Sequence, residues 1–115
     1  MSKKYDVVIK SKSMGHGEDD EVLLEKLMVG FLHTLAGREN LPDHIIMYGS
    51  GVLLSCTGSD SIEDLKVLEE KGVKVLSCGI CLDYYEIKDE LKVGGVTTMA
   101  EVVEIMTTSD KVIIP

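Results

Sequence analysis

The sequence predicts an α/β fold, an open and mainly parallel five-stranded sheet with helices on both faces. Five short apolar runs rich in β-branched residues alternate with segments of helical periodicity, and no two-residue hairpin signal joins any pair of them. At 115 residues the chain can bury one core but not two, so residues 1–115 read as a single domain.

Taken in order, Tyr5-Asp6-Val7-Val8-Ile9-Lys10 is a buried first strand, and Ser11 to Gly17 is a polar loop. Glu18, Asp19, Asp20 and Glu21 open a helix, because carboxylates in the first turn complement the helix dipole. Leu24, Leu27, Met28, Phe31 and Leu35 fall on one face of that helix and predict its buried side, with Gly37 at its end. After Pro42, His44 to Tyr48 is the second strand, and Gly49-Ser50-Gly51 turns it into an apolar segment from Val52 to Cys56. Ser59, Asp60 and Ser61 offer N-cap oxygens, with Glu63 and Asp64 placed for a capping box. Leu65 and Leu68 mark the inner side of the second helix, which ends at Gly72.

Val73 to Ser77 is the third strand. Beyond the cysteine turn, Tyr84, Ile87 and Leu91 align on one face of a third helix, and Gly94-Gly95 break the chain before a brief strand at Val96-Thr97. Thr98 and Glu101 form another capping-box pair ahead of Met99, Val102, Val103 and Met106, the expected inner stripe of a fourth helix. Lys111-Val112-Ile113-Ile114 is the last strand.

Twenty Asp and Glu against twelve Lys and Arg leave a net charge of −8, which argues against binding along a nucleic-acid phosphate track. No run approaches the roughly 20 apolar residues that span a bilayer, and the N-terminus lacks a signal-peptide core, so a cytoplasmic protein without a membrane partner is expected. Three cysteines, Cys56, Cys78 and Cys81, are then free thiols rather than structural disulfides. His16, His33 and His44 show no metal-ligand spacing, and a zinc site would lack two ligands beside Cys78 and Cys81. No metal and no cofactor are expected.

The chemistry concentrates at Cys78-Gly79-Ile80-Cys81, where a strand runs out into a helix. A thiol there feels unpaired backbone N–H groups that favour thiolate, and a second thiol three residues on can trap or resolve what the first makes. In open α/β sheets the ligand crevice lies outside the carboxyl ends of the strands. Those ends are Ser11 to Gly17, Gly49 to Gly51, Cys78 to Cys81 and Thr97 to Thr98. Cys78 is expected to be the most nucleophilic thiol, facing the crevice, with Cys81 turned inward and Cys56 in the core. Asp83 opposes thiolate formation and limits the drop in pKa. Gly49, Ser50, Gly51, Gly79 and Tyr84 are the expected substrate-binding residues. Gly15-His16-Gly17 does not make a dinucleotide loop, because Asp20 takes the third glycine position and the carboxylate run repels phosphate. A dithiol oxidoreductase would suit the C-x-x-C, but the motif follows the third strand rather than the first, and Pro42 and Pro115 offer no cis-proline partner.

Met14-Gly15-His16-Gly17-Glu18-Asp19-Asp20, Tyr48-Gly49-Ser50-Gly51-Val52, Leu76 to Tyr85 and Val93-Gly94-Gly95-Val96-Thr97-Thr98-Met99 together resemble the DsrE-like domain of YedF-type proteins. That family belongs to the DsrE/F/H superfamily of small sulfur-relay proteins. The resemblance implies a three-layer α/β/α sandwich around a five-stranded parallel sheet. It also implies a sulfurtransferase-like role in which Cys78 carries sulfane sulfur, with selenium as an alternative cargo, as a persulfide. A homo-oligomer is implied as well. YedF-type chains commonly carry an N-terminal domain resembling the sulfur carrier TusA; this sequence starts at the DsrE-like part, so a TusA-like donor or acceptor is expected on another chain. Beside the relay stands a second reading, a non-catalytic oligomeric binding or assembly module of the same fold.

Overall fold

The computed structural model describes residues 4–15 and 20–115. His16 and the start of the acidic run, Glu18 and Asp19, lie outside them. Five strands, β1 (Tyr5–Ile9), β2 (His44–Met47), β3 (Lys74–Cys78), β4 (Gly95–Thr97) and β5 (Lys111–Ile113), form one parallel sheet in the order β4-β3-β2-β1-β5. All five expected strands are present with the expected direction. The helices are α1 (Glu21–Ala36), α2 (Ile62–Glu70), α3 (Gly79–Tyr84) and α4 (Met99–Thr108).

The strand order determines where the helices go. The connections from β1 through β4 all step the same way across the sheet, whereas β4 to β5 steps back over its full width. Right-handed crossovers therefore put α1, α2 and α3 on one face and α4 alone on the other. The buried clusters agree. Val7, Ile9, Ile45, Met47 and Val75 pack under Met28, Leu32 and Leu35 of α1, Leu65 and Leu68 of α2 and Leu82 of α3. Val8 and Ile46 pack with Val102 and Ile105 of α4, flanked by Tyr48, Leu76 and Val112.

That asymmetry corrects two stripes. In α1 the inner face is Leu24, Met28, Leu32 and Leu35; Leu27 faces out and Phe31 is half-buried. Leu24, Met28 and Leu35 are buried as expected, and Leu32 takes the inner place read for Leu27 and Phe31, because the apolar residues of this helix wrap more than one side. In α4, Val102 and Ile105 reach the sheet, and Met99, Val103 and Met106 do not. One helix lying across a five-stranded face leaves much of its apolar stripe without a partner.

Side-chain caps form at α1 and α4, although at α4 the Glu101 carboxylate accepts from the Thr97 hydroxyl, so only the Thr98 half of the expected box is made. The Asp20 carboxylate accepts from the N–H groups of Val22 and Leu23, and Thr98 Oγ1 accepts from the Glu101 N–H at 3.2 Å. At α2 the expected capping box is absent: Ser61 makes no side-chain cap bond, and Ser59 Oγ instead accepts from the Ser61 N–H at 3.0 Å. Gly49 to Ser55 coils into a 3₁₀ segment. The third helix stops at Tyr84, so Ile87 and Leu91 pack against the core from the loop that follows, not from a helical face. Gly94 has φ +76°, and a β-carbon there would run into the Val75 carbonyl, which explains the glycine ahead of β4.

Candidate functional site: a thiol pair at the switch point of the sheet

The chain leaves β3 toward α3 on one face and leaves β4 toward α4 on the other, so the crevice between the carboxyl ends of these two strands is the switch point where such sheets hold ligands. Cys78, the last residue of β3, pairs in register with Thr97, the last residue of β4. The expected functional edge and the cysteine turn coincide there.

A groove of about 260 Å³ opens over this point. Cys78 and Cys81 lie in it, walled by Tyr48 from the end of β2, Ile80 from α3, and Met99, Val102, Val103 and Met106 from α4. The α4 residues left without a core partner thus form one wall of the thiol site. Only Cys78 and Cys81 of these eight were expected at the site. The signal for α4 was its surplus of apolar residues: Met99, Val102, Val103, Ile105 and Met106 exceed what a single inner stripe can bury.

The thiols exchange their expected places. Cys78 is 1% exposed, and Cys81 is the partly exposed cysteine. Cys78 ends an interior strand and caps α3 with extended backbone, and its side chain joins the core cluster on the α1–α3 face at the floor of the groove. Cys81, in the first turn of α3, packs against the edge of the core and also meets the loop after β2. There the Gly49 N–H donates to Cys81 Sγ at 3.1 Å. The donor to the thiol therefore comes from the exit of β2, across the groove, and α3, with six residues, is too short to supply much dipole of its own. Burial pushes the Cys81 thiol pKa up; the Gly49 N–H opposes this, and the neighbouring Cys78 thiol adds to the rise.

The glycines of the second turn hold that donor in place. Gly49 has φ +58°, and a β-carbon there would come 2.7 Å from the Lys10 carbonyl oxygen. Gly51 has no space for a β-carbon beside the Ile9 carbonyl. Ser50 Oγ accepts from the Lys12 N–H at 3.1 Å and ties the exit of β1 to the exit of β2. Gly49 thus touches the thiol directly, whereas Ser50 and Gly51 shape the turn behind it. Gly79 allows α3 to start against β4, since its β-carbon would stand 3.1 Å from Val96 Cγ1.

Tyr84 lies outside the groove. It is 81% exposed and packs edge-on against Tyr85, with ring centroids 5.4 Å apart. Asp83 points its carboxylate at Lys88, 3.0 Å away, so its charge is partnered. Cys56 is buried, as expected; its S–H donates to the Val52 carbonyl at 3.4 Å, and burial raises its pKa. Among the described residues no group of three His, Cys, Asp or Glu side chains is arranged to hold a metal ion, and no helix is long and apolar enough to cross a membrane.

Residues 32–115 match the DsrE/DsrF-like family. The fold resembles that of MTH1491, a protein of unknown function from Methanobacterium thermoautotrophicum, with a TM-score of 0.69, 20% identity, and coverage of 99% of this chain and 100% of that one. The ychN protein from E. coli matches with a TM-score of 0.67 at 18% identity over 99% of this chain and 100% of its own. BT1422, a conserved protein of unknown function from Bacteroides thetaiotaomicron, matches with a TM-score of 0.61 at 13% identity, covering 96% and 94%. These likenesses establish the shared fold. No curated protein matches the sequence.

Proposed function

The chain belongs to the DsrE/DsrF-like family, and on that premise we propose that it is a sulfur-relay protein carrying sulfane sulfur as a persulfide, with Cys81 as the carrier and Cys78 beneath it. The observation that carries this reading is the Gly49 N–H aimed at a partly exposed thiol at the switch point of the sheet. Such a donor stabilises the Cys81 thiolate that attacks, as a hydrogen bond to an anion favours it. In the transfer, the Cys81 thiolate attacks the outer sulfur of a donor, the donor's S–S bond breaks, and its inner sulfur leaves with the electron pair. The reverse exchange on an acceptor thiol discharges the cargo. Selenium as cargo and a TusA-like carrier as the exchanging chain are extensions of the same proposal.

Incubation with a sulfane-sulfur donor followed by intact-mass measurement tests it. The parent protein is expected to gain the mass of one sulfur atom, Cys81→Ser to gain none, and Cys78→Ser to load. Loading on Cys78 alone would reverse the roles of the two thiols. No loading on any cysteine would sink the relay and leave the binding-module reading.

Homo-oligomerisation is the second part of the proposal. Val22, Leu23 and Leu27 form an exposed apolar face on α1, on the side of the sheet away from α4, and a small domain gains by covering such a face. Light scattering is expected to give a mass above that of one chain, and Leu23→Lys with Leu27→Lys is expected to return it to the monomer. A parent protein that is monomeric at micromolar concentration would refute the assembly.

A further inference from the structure

We propose that the groove over the thiol pair receives the hydrocarbon part of an organic sulfane donor, a hydropersulfide R–S–SH in which R is small and apolar; this rests on the sulfur-relay reading and names its donor. The first support is charge. Among the described residues the groove wall carries no ionisable group other than its two thiols and the Tyr48 phenol. Lys12, at the exit of β1, is held by Glu25 at 3.0 Å, and Lys88, beyond α3, is held by Asp83 at 3.0 Å. The groove wall itself offers a dianionic donor such as thiosulfate no cation in exchange for its hydration, in a protein of net charge −8.

The second support is the lining. Ile80, Met99 and Val103 are each about half-exposed or more, 65%, 49% and 51%, and they flank the thiols, so an apolar group bound there removes their surface from water as well as its own. Met99 and Met106 add two flexible, polarizable thioethers that can adapt to a sulfur-bearing guest. The third is size. At about 260 Å³ the groove falls just below the roughly 300–1,000 Å³ of sites for drug-sized molecules, which suits a single ring or short chain.

The chemistry balances without an external oxidant or reductant. Cys81 thiolate attacks the outer sulfur of R–S–SH; the new S–S bond forms as the old one breaks, and the electron pair leaves on R–S⁻, which takes up the proton released from Cys81. The products are Cys81–S–SH and the thiol R–SH. The apolar wall holds R so that the outer sulfur lies over Cys81, and it releases R–SH without a change of charge in the groove.

Two arms test the proposal. In the first, methionine-methyl NMR follows titration with benzyl methyl sulfide, an unreactive stand-in. Met99 and Met106 are expected to shift, the core residues Met28 and Met47 to stay, and thiosulfate to move none of them. Val103→Lys, at an exposed wall position, is expected to weaken the binding roughly tenfold or more. Unmoved Met99 and Met106, equal shifts with thiosulfate, or a groove already closed by a second copy of the chain would overturn the site. In the second arm, persulfide loading from benzyl hydropersulfide and glutathione hydropersulfide is compared, each rate divided by that of free cysteine. The parent is expected to prefer the benzyl donor roughly tenfold or more, and Val103→Lys to lose that preference. Equal rates in the parent would overturn the donor class while leaving the relay intact. Loading from neither would overturn the relay and the donor assignment, even if the methyl shifts still report an apolar site.

Discussion

Replacing His44 by valine is expected to lower the unfolding free energy by about 1–3 kcal/mol, the cost of leaving a buried acceptor without its hydrogen-bond partner. Asp6, the second residue of β1, is 0% exposed, and its Oδ1 meets His44 Nδ1 of β2 at 2.7 Å. The two residues are in register, and Asp6 is also in register with Val112 of β5. By strand alternation they share the α4 face with Val8 and Ile46, at the amino-terminal edge and away from the thiols. Among the described residues Asp6 Oδ2 has no partner, so His44 is the carboxyl group's single compensation for leaving water. Substituting valine at both positions should recover most of the loss, because a buried pair exchanged for well-packed apolar side chains is often neutral or better. Urea unfolding of the parent, both single variants and the double variant gives the coupling directly. Single and double variants of equal stability would mean that the pair is not coupled.

Asp6 and His44 also mark how far the sequence was legible. The strands could be read because each is a short β-branched run bounded by turn residues, and the Asp6 position was read as part of a buried strand. Nothing local to Asp6 could name His44 as its partner, since that pairing depends on β1 and β2 being neighbours. The strand order likewise decides which carboxyl ends form the switch point. The cysteine turn was visible as a strand-to-helix junction, but the assignment of access between Cys78 and Cys81 was not. It depends on Cys78 packing into the core cluster at the end of β3 and on the loop at Gly49 reaching Cys81. In α4, Met99, Val103 and Met106 have the periodicity of a core stripe, yet the surface they face is the groove. The resemblance to DsrE-like chains did what periodicity could not, and indicated the family before any strand order was known.

In the folded protein, Cys81 is expected to react with iodoacetamide about a hundredfold or more faster than Cys78, the ratio produced when the slower site must first open at a cost of roughly 3 kcal/mol. Access sets this ratio, since Cys78 is 1% exposed and Cys81 is partly open to the groove. The pH dependence carries a second, independent expectation. Burial raises the Cys81 pKa more than the Gly49 N–H lowers it, and Cys78 contributes to the rise. Its alkylation rate should therefore keep climbing past the free-thiol value of about 8.5 before levelling off. The sign for stability follows: a thiol whose pKa is raised by folding favours the folded state while protonated. That contribution is full below the unfolded pKa and is lost as pH rises through the folded one. Cys78→Ser removes the neighbour that raises Cys81, so its curve should move to lower pH and its rate at neutral pH should increase. Site-resolved mass mapping after timed alkylation measures both quantities. A Cys78 that reacts as fast as Cys81 under folding conditions would overturn the assignment of the outer thiol, and a Cys81 rate that levels off well below the free-thiol value would show that the Gly49 hydrogen bond outweighs burial.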